Sequence, residues 1–199
     1  MTPKTYTDTS ATVDKVISCA TALFRKHGYR KTTVDDIASR VHISKKTLYS
    51  IFPAKDVILN EATWHDTMNV LRDFGKTFPD SARADMVLLS LFRYIFTDRI
   101  KQGGNGIFWG INSPDPDIHL SYLESLRRVV ADIYREGREE GLFKPIDPIF
   151  GAAVTTGIMM AALDRFHTTE NPVVLFNEAL YVIADAVAFR DRIVFDRMG

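Results

Sequence analysis

The segment Thr33 to Lys55, TVDDIASRVHISKKTLYSIFPAK, constrains the fold more than any other, because two short helices and the turn between them are written into it. Val34, Ile37, Ala38 and Val41 recur at i, i+3, i+4 and i+7, the spacing that lines one apolar face of a helix. Thr33, with Asp36 three residues on, supplies a capping box for that helix. The pattern breaks at Val41-His42-Ile43, and Ser44 can cap a second helix from Lys45 to about Phe52 with Leu48 and Phe52 turned inward. Two helices joined by a three-to-four-residue turn make a helix-turn-helix. The second helix then presents Lys45, Lys46, Thr47, Tyr49 and Ser50 outward, side chains that contact phosphates and base edges.

The residues before this segment complete a small domain. Val13, Val16, Ile17, Ala20, Leu23 and Phe24 form an apolar stripe that stops at Gly28, a residue suited to the left-handed conformation at a helix C-terminus. Three helices would share one core, with Phe24, Ile37, Leu48 and Phe52 as contributors.

The order Phe24, Gly28, Thr32-Thr33, Ile37-Ala38, Ile43-Ser44, Thr47-Leu48-Tyr49, Phe52 and Lys55 resembles the DNA-binding domain of TetR-family transcriptional regulators. The resemblance covers roughly the first quarter to third of the chain. It implies a bacterial DNA-binding regulator with an all-α fold: an N-terminal three-helix helix-turn-helix domain, residues 1–55, and a C-terminal helical domain, 56–199, for effector binding and dimerisation. By this resemblance the DNA contacts fall on Thr33, Ser44, Lys45, Lys46, Thr47, Tyr49, Ser50 and Lys55, with Tyr49 and Lys55 on phosphate. Three positions depart from the family pattern, one of them Ile51, which stands where His is frequent. His42 stands where the turn usually carries Gly, and histidine is among the residues that tolerate positive φ. Lys46 stands where Gly is frequent and puts a long cation near the start of the reading helix, so the operator cannot be carried over from relatives.

A formal net charge of zero hides an asymmetry. Residues 1–56 hold ten Lys and Arg against five Asp, a net +5 that leaves −5 for the remainder. A basic head on an acidic body concentrates affinity for phosphate at one end. Lys45 and Lys46 also lie at a helix N-terminus, where cations oppose the local dipole, and an arriving phosphate would make sense of them.

Beyond Lys55 the pattern stays helical. Trp64, Met68, Leu71 and Phe78 continue one face of a long helix, and Asp80-Ser81 precedes another bearing Leu88, Leu89, Phe92 and Phe96. Gly103-Gly104-Asn105-Gly106 interrupts, Asp115-Pro116 restarts a helix with Leu123, Leu126, Val130 and Tyr134, and that helix closes near Gly141. Two final helices run from about 148 to 167 and 172 to 189. Both are apolar on more than one face, through Ile149, Phe150, Ala153, Val154, Ile158, Met159 and Met160 in the first and Leu175, Phe176, Ala179, Leu180, Ile183, Ala184 and Val187 in the second. Such helices need cover on two sides. The family forms homodimers through a four-helix bundle, and the expectation is a homodimer through these two helices, reading a pseudo-palindromic operator in double-stranded DNA.

In the family, a small molecule bound among the middle helices tilts the long connecting helix and moves the heads out of register with DNA. Trp64, Met68, Phe92, Phe96, Phe108, Trp109, Tyr122 and Met160 can line such a pocket, and as a group favour an apolar or aromatic effector. His119, His167, Asp164 and Arg93 are the few polar side chains able to orient it. The reading is therefore a repressor released by its effector.

Other chemistry finds little support. The five histidines form no HExxH and have no cysteine partner, so no metal site, cofactor or catalytic residue is expected. Cys19 is the single cysteine, which excludes an internal disulfide and fits a reduced, cytoplasmic setting. The first ten residues lack the apolar run of a signal peptide, and the longest uncharged run, Pro148 to Leu163, is 16 residues, short of the ~20 of a membrane helix. Two other readings stay open on sequence: a helical small-molecule carrier or enzyme with an incidental basic head, and a DNA-localised factor whose partner is another protein.

Overall fold

A computed structural model describes residues 7–79, 81–102, 110–111, 113–166 and 168–187. Eight α-helices lie among them: α1 Thr7–His27, α2 Val34–Arg40, α3 Lys45–Ile51, α4 Lys55–Gly75, α5 Ala84–Gln102, α6 Pro116–Glu139, α7 Pro148–Arg165 and α8 Pro172–Val187. There is no strand among the described residues, so the all-α class holds. The chain forms two compact units: one of residues 1–72 and 108–125, the other of 73–107 and 126–199.

In the first unit, α1 buries Val16, Ile17, Ala20, Leu23 and Phe24, while Val13 is half-buried. α2 adds Val34, Ile37 and Ala38, and α3 adds Leu48 with Phe52 just beyond it. The four core contributors read from the sequence, Phe24, Ile37, Leu48 and Phe52, are all at most 5% exposed. Gly28 ends α1 with φ +81°, its N–H bonded to the Phe24 carbonyl at 2.9 Å. Only a residue without a Cβ enters this conformation at no steric cost.

The buried face of α4 differs from the expected one. Ile58, Leu59, Ala62, Thr63 and Thr67 are buried, whereas Trp64 is half-buried and Met68 is 37% exposed. Apolar spacing picked the wrong face because two threonines line the right one. Thr63 reaches α6, its hydroxyl 2.6 Å from that of Ser121, which donates to the Asn60 side-chain oxygen at 2.9 Å. Phe78 lies past the end of α4 and packs edge-on against Phe74, with ring centres 4.9 Å apart.

In the second unit, α5 buries Leu88, Leu91, Phe92, Ile95 and Phe96. Phe96 stacks on Phe176 of α8 at 4.2 Å and meets Phe166 edge-on at 5.5 Å. α7 begins with Asp147 as its cap, the carboxylate accepting from the Phe150 N–H at 2.9 Å, and with Pro148 in its first turn. It turns small residues inward: a Cβ on Gly151 would lie 2.4 Å from the Tyr134 ring of α6, and the Tyr134 hydroxyl lies 2.6 Å from that of Thr155. This close approach explains a glycine in a helix interior, which otherwise costs about 1 kcal/mol relative to alanine. The outer sides of α7 and α8 stay apolar and open, with Ile149, Phe150, Val154, Val173, Val174, Tyr181 and Val182 exposed. No helix among the described residues is long and apolar enough to cross a membrane.

Candidate nucleic-acid interface

The turn between α2 and α3 is built by its end-bonds. The His42 N–H bonds the Ser39 carbonyl at 3.3 Å and the Ile43 N–H bonds the Ala38 carbonyl at 3.0 Å, the paired bonds of a Schellman motif. His42 takes φ +58°, so the side chain that replaces the usual glycine occupies the left-handed region as expected. α2 starts in a complete capping box: the Asp36 N–H donates to Thr33 Oγ1 at 3.1 Å, and the Thr33 N–H donates to Asp36 Oδ2 at 2.8 Å. The Thr33 hydroxyl, 2.6 Å from Asp36 Oδ2, and then the Thr33 N–H hold the Asp36 carboxyl below its ordinary pKa. Ser44 caps α3, its hydroxyl accepting from the Thr47 N–H at 3.0 Å.

A seven-residue helix is too short to be stable alone, and α3 is held by these caps and by Leu48, fully buried beneath it. Lys45, Lys46, Thr47, Tyr49 and Ser50 are all exposed, as is Ser44 at its cap. Their polar groups are not equally available. Ser44 and Thr47 hydroxyls lie 2.8 Å apart, and the Ser50 hydroxyl donates back to the Thr47 carbonyl at 2.7 Å. Lys45 pairs with Asp35 of α2 at 2.8 Å, which raises the lysine pKa through that hydrogen bond first. Its charge is answered within the head, a partner that helical spacing could not reveal across ten residues. Lys46 makes no ion pair among the described residues, and Tyr49 is 43% exposed. These two carry the donors of α3 that the head leaves for an outside partner.

Lys55 is turned the other way. Its ammonium donates to the carbonyls of Tyr29 at 2.8 Å and Thr32 at 3.0 Å and lies 3.9 Å from the centre of the Tyr29 ring. The lysine thus ties the start of α4 to the α1–α2 loop and satisfies two carbonyls that no helix serves. Tyr29 is the residue the sequence reading missed. Its hydroxyl bonds the Asp56 carboxylate, and burial first, then that bond, push its phenol well above the ordinary range. A partner 27 positions away leaves no periodic signal.

The residues expected to line an effector pocket come from both units. Trp64, Met68 and Tyr122 belong to the first unit, where the buried Tyr122 hydroxyl donates to Asp66. Phe92, Phe96 and the half-buried Met160 belong to the second, the two phenylalanines packed in its core. Phe108 and Trp109 lie outside the described residues, as does His167. Of the polar handles, His119 is engaged locally through Nδ1 with the Ile111 carbonyl at 2.6 Å, and Arg93 and Asp164 are exposed. No group of three metal-ligating side chains occurs among the described residues.

A capped three-helix head with a cationic, hydroxyl-rich third helix defines the helix-turn-helix class. Residues 16–62 match the family model of bacterial regulatory proteins, tetR family, and over this stretch the chain is similar to the DNA-binding domain of that family. A biofilm operon icaADBC HTH-type negative transcriptional regulator, IcaR of Staphylococcus epidermidis, is 34% identical over 84 residues, covering 42% of this chain and 45% of the relative. The chain thus spans less than half the length of the curated relatives it matches. The fold likeness extends further. A TetR-family repressor, FadR of Thermus thermophilus, solved with lauroyl-CoA, aligns over 89% of this chain and 96% of its own with TM-score 0.57 and 19% identity. RolR solved with resorcinol aligns over 90% and 93% with TM-score 0.59 and 17% identity. At such identities the likeness is one of fold.

Proposed function

We propose that this protein is a homodimeric transcriptional repressor, not an enzyme, that reads a pseudo-palindromic operator in double-stranded DNA through α3 and leaves it when a small apolar or aromatic effector binds. The observation that carries this reading is the outer face of α3, where Lys46 and Tyr49 offer unengaged donors beside Ser44, Lys45, Thr47 and Ser50 on a head of net charge +5. Thr33 joins them from the start of α2, and Lys55 acts by bracing the loop behind it. The labour divides near residue 55, DNA to residues 1–55 and effector and dimer contacts to 56–199, and the protein works in the cytoplasm.

Dimerisation is supported by the open apolar sides of α7 and α8, since contiguous exposed apolar patches mark association surfaces. Phe150, Val154, Gly157 and Ala161 fall along one exposed stripe of α7, where small residues permit close approach. Repression is supported by the negative regulator IcaR, and an apolar or aromatic effector by the lauroyl-CoA and resorcinol complexes of proteins with the same fold.

Titrating the purified protein against duplexes from the region upstream of its own gene, at two salt concentrations, tests the reading. Sequence-selective binding that weakens steeply with added salt is expected, since each phosphate contact releases counterions. Absent binding, or binding without preference or salt dependence, would refute it.

A further inference from the structure

Asp115 uses its two carboxylate oxygens in opposite directions. Oδ1 accepts the Asp117 N–H at 3.1 Å, capping the first turn of α6, and Oδ2 accepts the Tyr29 N–H at 2.8 Å, at the exit of α1. Ser113 steadies the same residue, its hydroxyl accepting the Asp115 N–H at 3.2 Å. One side chain therefore joins two helix ends that lie 86 residues apart in the chain. The approach depends on Gly28, because a Cβ there would come 3.2 Å from Asp115 Oδ2. A second, exposed pair, Arg30 with Asp117 at 3.3 Å, runs parallel to it.

Tyr29 is also where the head is tied down from the other side. Lys55 holds the Tyr29 and Thr32 carbonyls, and Asp56 holds the Tyr29 hydroxyl. Thr33 then opens α2, and Asp35 of α2 pairs with Lys45 of the reading helix. Charge-assisted bonds, a kind stronger than neutral ones, thus hold the α1–α2 loop to the first turn of α6 and hold α2 to α3, and the backbone through Thr33 joins the two sets. Space remains beside it: a cavity of about 290 Å³ is lined by Tyr29, Asp56, Leu59, Asn60, Asp117 and Leu120, so the loop is bonded without being packed in on that side.

We propose that Asp115 and Tyr29 are positioning residues, a latch through which the first turn of α6 sets the placement of the DNA-reading head, in addition to the hold that α4 has on Tyr29 through Lys55 and Asp56. The inference rests on the DNA-binding reading above. Coupling is reciprocal, so DNA bound at α3 must stabilise the latch as much as the latch favours DNA.

Hydrogen exchange of the full-length protein, free and bound to a duplex from its own upstream region, tests this. DNA slows exchange across residues 113–121 by at least about fivefold in the parent protein, the low end of ordinary coupling between sites. Asp115→Ser keeps a good N-cap for α6 while its hydroxyl is too short to reach Tyr29. In that variant the slowing falls below about twofold although DNA still binds, a loss of coupling and not of the reader. Arg30→Ala, which removes only the exposed pair, keeps it. DNA binding with unchanged exchange at 113–121 in the parent, or equal slowing in Asp115→Ser, would overturn the latch alone. Absence of any DNA binding would overturn the regulatory reading and the latch with it.

Discussion

The outer face of α3 and the outer faces of α7 and α8 are both open, and they are open with opposite chemistry. α3 shows Lys46, Tyr49 and a row of hydroxyls, while α7 and α8 show Phe150, Val154, Val174, Tyr181 and Val182. Cations at the start of a helix suit an anion that outbids water, and exposed aliphatic and aromatic side chains suit another apolar surface. The difference supports the proposed division of labour: one face suits a polyanion, the other an apolar protein surface.

Their support differs as well. The α3 face rests on one fully buried leucine and two caps, so Leu48→Ala should have the largest effect, a loss of ~2–5 kcal/mol from the head. Denaturant melting followed by head-specific probes should show that loss with the α7 and α8 signals retained. Equal loss in both regions would mean that they do not melt independently. Next in size, Val154→Arg should leave the fold intact and raise the dimer dissociation constant roughly 100-fold or more by placing a charge in an apolar contact. Sedimentation or light scattering reads this directly, and an unchanged mass at low concentration would remove α7 from the interface.

Smaller effects separate the roles within α3. Lys46→Ala should change preference at one operator position by ~1–3 kcal/mol if the side chain reads a base, whereas Tyr49→Phe should weaken all operators alike. A uniform loss for Lys46→Ala would make it a phosphate contact. Least of all, His42→Gly relieves a left-handed side-chain position and should stabilise the head by under about 1 kcal/mol, because glycine's entropy offsets part of the gain. A destabilised variant would show that the His42 side chain contributes more than its backbone conformation costs.

Much of the head was legible because its signals are local. The capping box of Thr33 and Asp36, the Ser44 cap, the Gly28 terminus and the inward Leu48 all depend on neighbours within four positions, and each falls where spacing placed it. What escaped was everything that depends on chain returning from elsewhere. Lys45 finds Asp35, Lys55 finds Tyr29 and Thr32, and Tyr29 finds Asp115, partners that no helical period links. The face of α4 was misjudged for a related reason. Thr63 is buried because Ser121 waits opposite, and hydropathy alone cannot see a partner hydroxyl. In α7 the inward Gly151 and Thr155 follow from the shape and hydroxyl of Tyr134, while the larger apolar residues Ile149 and Phe150 stay outside.

The two faces meet in one experiment, a footprint of the protein on its own upstream DNA, with the parent protein beside Val154→Arg. The parent should protect two half-sites related by two-fold symmetry, centred about one DNA turn, ~34–36 Å, or modestly further apart, and the variant should lose that paired protection at the same concentration. Protection of a single half-site by the parent, or an identical paired footprint from a variant shown to be monomeric, would contradict the account.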